Sequence, residues 1–163
     1  MFSFLTPWLP ALTVFLAAAV QELAAPWPGW GILRPDLVSI CLFYWRLYRP
    51  DRCGAPLAFA GGLSLDILSG LPLGMNAFSK ILLVLLTGTV RRRLRSADFF
   101  LLLPVLLLLI GLEEWVQWGV AMLLQGDHAR WPMLVGRPIA TVLAAPLVVA
   151  GLIGLHRRFL EDA

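Results

Sequence analysis

The sequence predicts an all-α membrane protein with six transmembrane helices, and three observations carry that prediction. Hydrophobic residues make up 60% of the 163-residue chain and charged residues only 14%, against about 45–50% and about 25% in soluble domains. Apolar stretches of about 20 residues, the length that crosses a hydrocarbon core of about 30 Å, recur along the chain. Arginines fall in the breaks between these stretches, alternately many and few. Mean hydropathy is +0.82. This composition excludes a disordered chain and argues against a soluble domain, whose surface so few charges cannot cover. Six spans use about 120 residues and leave about 40 for loops and tails. The chain therefore reads as one integral membrane domain, 1–163, with no room for a separate soluble domain.

The six segments follow from apolar runs and their breakers. The first, about 5–25, ends at Pro26-Trp27-Pro28-Gly29, where proline and glycine break the helix and tryptophan suits the interface. It is expected to be a retained helix, because no Lys or Arg precedes Arg34 and a cleaved signal needs a basic start. The second, about 31–48, is opened by Arg34-Pro35-Asp36. Proline suits a helix start, and aspartate suits the positive end of the helix dipole. Arg49-Pro50-Asp51-Arg52 ends it. The third, about 54–71, turns at Pro72 and Gly74 into the fourth, about 73–90, which Arg91-Arg92-Arg93-Leu94-Arg95 is expected to stop. The fifth and sixth cover about 99–124 and 133–155.

Charge order tests this segmentation. Loops on one side hold nine basic residues, Arg46, Arg49, Arg52, Arg91, Arg92, Arg93, Arg95, Arg157 and Arg158. The other side holds three, Arg34, Arg130 and Arg137. Positively charged loops stay inside, so both termini are expected in the cytoplasm. The same rule accounts for the net charge of +3 without nucleic acid, which is not an expected partner. Arg91, Arg92, Arg93 and Arg95 read as a lipid-facing basic cluster that anchors the cytoplasmic face to anionic lipids. Cys41 and Cys53 read as plain thiols, with neither disulfide nor zinc spacing.

A few polar residues need an internal explanation. Ala58, Gly62, Asp66, Gly70 and Gly74 recur at intervals of four. Small residues at this spacing let a second backbone approach closely. That backbone is either another helix of this chain or a partner's transmembrane helix. Asp66 and Lys80 lie at similar depths on the two arms of one hairpin, and a carboxylate there needs a partner or water. An ion pair holding the hairpin is the expectation, with a proton or ion relay and snorkelling as the alternatives. Glu113 and Glu114 share the fifth span with Gln117. Adjacent glutamates point about 100° apart, so one is expected to face the bundle and the other a partner or the headgroups. No histidine accompanies them at ligand spacing, so neither a metal site nor a cofactor is expected. Gln21 and Glu22 read as interfacial. No catalytic signature is present, neither G-x-S-x-G nor H-E-x-x-H, P-loop or Rossmann glycines, so the chain does not read as an enzyme.

The order Pro26-Trp27-Pro28, Arg34-Pro35-Asp36, Tyr44-Trp45 and Pro50 resembles the MreD family of rod shape-determining membrane proteins. So does the stretch Gly61-Gly62-Leu63-Ser64-Leu65-Asp66-Ile67-Leu68-Ser69-Gly70 with Leu73-Gly74. The resemblance implies a fold similar to the S-components of energy-coupling-factor transporters. It also implies a non-catalytic place in the bacterial cell-elongation complex of the inner membrane. There MreC is the direct partner, and MreB, RodA and a penicillin-binding transpeptidase of peptidoglycan synthesis are reached through the complex. A second copy of the chain is a further candidate partner. The competing reading is a solute-binding subunit of a vitamin-type transporter, which would line a pocket with Asn76, Ser79, Lys80, Glu113, Glu114, Gln117 and Trp118.

Overall fold

The structure is a computed structural model that describes residues 6–23, 33–96, 99–125 and 133–158. Among these residues all regular structure is helical. A short 3₁₀ turn, Thr6–Trp8, leads into α1 (Leu9–Leu23). Then follow α2 (Leu37–Tyr48), α3 (Ala55–Ser69), α4 (Met75–Leu94), α5 (Phe99–Gln125) and α6 (Met133–His156). Two helices, over Leu101–Leu123 and Leu134–His156, are long and apolar enough to cross a membrane, while α1, α2 and α3 are shorter apolar helices.

Helix α2 sits in the middle. It packs against α1, α4 and α6 and touches α3 and α5. Nine of its 12 residues are buried, from Val38 to Trp45 and at Leu47. A helix apolar all round belongs inside its neighbours, and at about 18 Å this one is shorter than the hydrocarbon core. Its start differs from the expected segment. Residues 34–36 are not helical, because Pro35 disfavours helical geometry in the residue before it. Asp36 then caps the helix, accepting from the Ser39 N–H at 3.0 Å.

The α3–α4 hairpin is the most extensive helix contact. Gly62 explains the closeness: a Cβ there would lie 2.4 Å from the Ala77 Cα and 2.6 Å from the Asn76 carbonyl oxygen. The turn is closed by Gly70, which takes the left-handed conformation (φ 65°) while its N–H and that of Leu71 both donate to the Asp66 carbonyl. Gly74, at φ 101°, starts α4.

The arginines do not stop α4 where expected. Arg91, Arg92 and Arg93 form its last turn, since arginine is a good helix former and favours the negative end of the dipole. Arg91 is half-buried and donates through Nε to the Leu47 carbonyl at 2.9 Å, satisfying a backbone group at the end of α2. Arg92, Arg93 and Arg95 are exposed. At the same end of the bundle Arg46 donates to the carbonyls of Pro50 (3.2 Å) and Cys53 (3.0 Å), which fixes the loop between α2 and α3. Trp45 donates to Thr13 Oγ1 at 2.8 Å and stacks on His156.

Two measurements check this packing. Gly62→Ala should cost about 1–3 kcal/mol of stability through overpacking, read as a lower thermal midpoint in detergent. Gly111→Ala, where a Cβ meets nothing within 4 Å, should leave the midpoint unchanged or raise it. Burial pushes the Cys53 thiol up to about 12, so at pH 7 it is protonated and covered. In a Cys41→Ala background, maleimide labelling of Cys53 should be slow in the folded protein and fast after unfolding.

Candidate functional site

The helix ends that meet at α2's N-terminus gather most of the buried polar side chains. Lys80, on α4, is fully buried. Its ammonium donates to Asp36 at the start of α2, to Glu113 on α5 and to Ser39 Oγ at 2.7 Å. Ser39 in turn donates to the other oxygen of Glu113 at 2.8 Å.

A second limb runs along α4 to Asp66. Gln117 Nε2 donates to Asn76 Oδ1 (3.0 Å) and lies 2.9 Å from Ser79 Oγ. Asn76 Nδ2 donates to Asp66 Oδ1 at 2.9 Å. The Asp66 carboxylate also accepts the backbone N–H groups of Gly74 (2.8 Å), Asn76 (2.9 Å) and Ala77 (3.4 Å). These are the otherwise unpaired donors at the start of α4, at the positive end of its dipole. The expected Asp66–Lys80 pair is therefore not formed. Asp66 serves α4's N-terminus, and Lys80, one turn further in, turns to α2 and α5. The hairpin is held by Asp66 all the same, through backbone donors instead of a cation.

A third limb reaches α6. The Asp36 N–H donates to Thr141 Oγ1 at 2.9 Å, and Arg137, one turn before Thr141, pairs with Glu114 at 3.1 Å. Both glutamates are thus inside the protein, Glu113 toward α2 and α4 and Glu114 toward α6. The sequence placed one of them outward and counted Arg137 as a loop residue. Gln21 and Glu22 are likewise not free at an interface. Gln21 Oε1 accepts from the Leu37 N–H at 2.9 Å, and Glu22 pairs with Arg34 and accepts from Ser69 Oγ at 2.8 Å.

Of the small-residue strip, Ala58, Gly62 and Asp66 are buried among this chain's own helices, while Gly70 is exposed and Gly74 half-buried. Spacing found the strip but not which backbone it meets. The partners of Lys80 and Glu114 were missed because Asp36 is also a good helix cap and Arg137 is also a good loop residue. The sequence offered one clue in its counts: the spans hold five acids, Glu22, Asp36, Asp66, Glu113 and Glu114, and four cations, Arg34, Arg46, Lys80 and Arg137, more than a single ion pair accounts for. Among the described residues no group of three or more His, Cys, Asp or Glu is placed to hold a metal ion.

The network predicts a sharp asymmetry between single and combined substitutions. Lys80→Met leaves Asp36 and Glu113 buried without their cation and should cost about 3–5 kcal/mol. Adding Asp36→Asn and Glu113→Gln removes the orphaned charges and should recover a large part of that loss. Thermal unfolding of the purified variants in one detergent measures both.

The family described as rod shape-determining protein MreD matches residues 2–152. Over 75 residues the chain is 37% identical to the rod shape-determining protein MreD of Haemophilus influenzae, covering 45% of this chain and 46% of that protein. The matched stretch thus spans about half the length of that curated relative. No solved structure matches the chain. The match across residues 2–152 shows that the chain belongs to the MreD family of rod shape-determining membrane proteins.

Proposed function

We propose that the chain is a non-catalytic, multi-pass scaffold of the bacterial inner membrane, with six spans and both termini in the cytoplasm. In this reading it binds MreC and supports peptidoglycan synthesis by RodA and its transpeptidase along MreB filaments. One observation carries the scaffold part of the proposal. The intramembrane polar groups bond to one another and tie together α2, α4, α5 and α6, as a rigid support requires. Family membership carries the cell-shape part. Orientation is supported by the nine arginines against three. The shorter helices fit a membrane where they lie against longer ones, since a helix short of the hydrocarbon thickness is accommodated by local thinning and flanking charges.

The solute-binding alternative is not favoured. Of the seven side chains it needs, Asn76, Ser79, Lys80, Glu113 and Gln117 are hydrogen-bonded among themselves and Glu114 pairs with Arg137, so a ligand would have to break those bonds. The seventh, Trp118, has its Nε1 buried without a hydrogen-bond partner among the described residues. If MreC uses the small-residue strip, it meets the open end at Gly70 and Gly74, because α4 occupies the strip at Gly62.

Depletion of the protein in a rod-shaped host should round the cells, and the tagged chain should co-purify MreC from membranes. Depleted cells that stay rod-shaped overturn the cell-shape role. A folded, membrane-inserted chain that brings down no MreC overturns the scaffold role.

A further inference from the structure

At the end of the bundle opposite the charge network, α2, α5 and α6 line a shallow apolar groove. Phe43, Tyr44 and Tyr48 of α2 form its floor, with Leu106 of α5 and Val149 and Ile153 of α6 as walls. We propose that this groove binds one anionic phospholipid, its acyl chain laid between α5 and α6 and its phosphate held by arginines at the helix ends.

The lining decides the first half of the ligand. It offers hydrocarbon and aromatic rings, so a polar solute would lose its hydration there without replacement. The groove opens at its rim, where Tyr48 and Ile153 are each 40% exposed.

Charge decides the second half. All three walls end in arginine at this end: Arg49 follows Tyr48, Arg157 and Arg158 lie just past Ile153, and Arg95 lies shortly before α5. Arg95, Arg157 and Arg158 are exposed. Arg46 and Arg91 are committed to backbone carbonyls, so they do not compete for a headgroup. Among the described residues the carboxylate at this end is Asp51, which sits beside Arg52 at 3.7 Å. An apolar slot with a cationic mouth matches an acyl chain joined to a phosphate, because arginine donors bind phosphate in charge-assisted hydrogen bonds.

The test uses the purified full chain in micelles doped with equal amounts of phosphatidylglycerol and phosphatidylcholine, with retained lipids counted by native mass spectrometry. One phosphatidylglycerol should be retained, preferred over phosphatidylcholine by about fivefold or more. Ile153→Trp, which narrows the mouth, should abolish retention of both lipids at the specific site. Arg157→Gln with Arg158→Gln should bring the two lipids toward parity. Arg157 and Arg158 are exposed and Ile153 faces the open groove, so the thermal midpoint should move little. Equal retention of the two lipids by the unsubstituted protein overturns the proposal, as does full preference in both variants. Ile153→Trp that shifts the chain from dimer to monomer and leaves lipid retention unchanged also overturns it, assigning the groove to a second copy.

Discussion

The ammonium of Lys80 has no access to water and must find its negative charge inside the protein. A buried cation without a counter-charge costs several kcal/mol even after relaxation. Lys80 meets that demand from two directions, with Asp36 at the start of α2 and Glu113 in the middle of α5. Since these three groups come from three helices, the pairing fixes the depth of each helix relative to the others. Ser39, Ser79 and Gln117 then occupy the remaining hydrogen-bonding positions, as a buried polar network requires if it is to hold together. The central position of α2 follows. It is too short to stand alone across a bilayer, and its charged start is gripped by α4, α5 and α6.

The two ends of the bundle are built on different chemistry. At one end carboxylates serve helix N-termini: Asp36 caps α2 and Asp66 caps α4 from outside. At the other end guanidinium groups serve carbonyls, Arg91 on Leu47 and Arg46 on the loop before α3. Both follow from the helix dipole, with acids at N-terminal ends and bases at C-terminal ends. The polarity that the positive-inside rule reads as topology is therefore also used as internal capping. That use explains why Arg91 is drawn in while Arg92, Arg93 and Arg95 remain outside. The consequence is a bundle tied at both ends, with an apolar groove bordered by α2, α5 and α6 near the arginines.

Individual residues show how far sequence reasoning reached into the site. Asp66, Lys80, Glu113, Glu114 and Gln117 stood out because polar groups in apolar runs need an account, and all five are buried in the network. Their partners did not stand out. Asp66 and Lys80 were expected to meet because a hairpin sets them side by side, yet local depth says nothing of the direction a side chain leaves its helix. Arg137 and Asp36 were each given a sufficient local role, and a residue with one such role gives no sign of a second. Arg91 shows the same ambiguity, since charge alone does not separate a lipid anchor from a cap for a neighbouring helix.

By itself the sequence determined the quantities that sum along the chain or repeat along a helix. These are the apolar runs and their order, the Gly70–Gly74 turn, the small-residue strip and the uneven distribution of arginine. Each depends on local propensity, on period, or on transfer from water, and none requires knowing what lies across the bundle. Only the tertiary structure decided which acid meets which base, that α4 rather than a partner fills the face at Gly62, and that α2 is the hub. Those outcomes depend on relative rotation and depth of helices far apart in sequence. They are set by packing many side chains at once, with one buried lysine and its two carboxylates allowing few solutions.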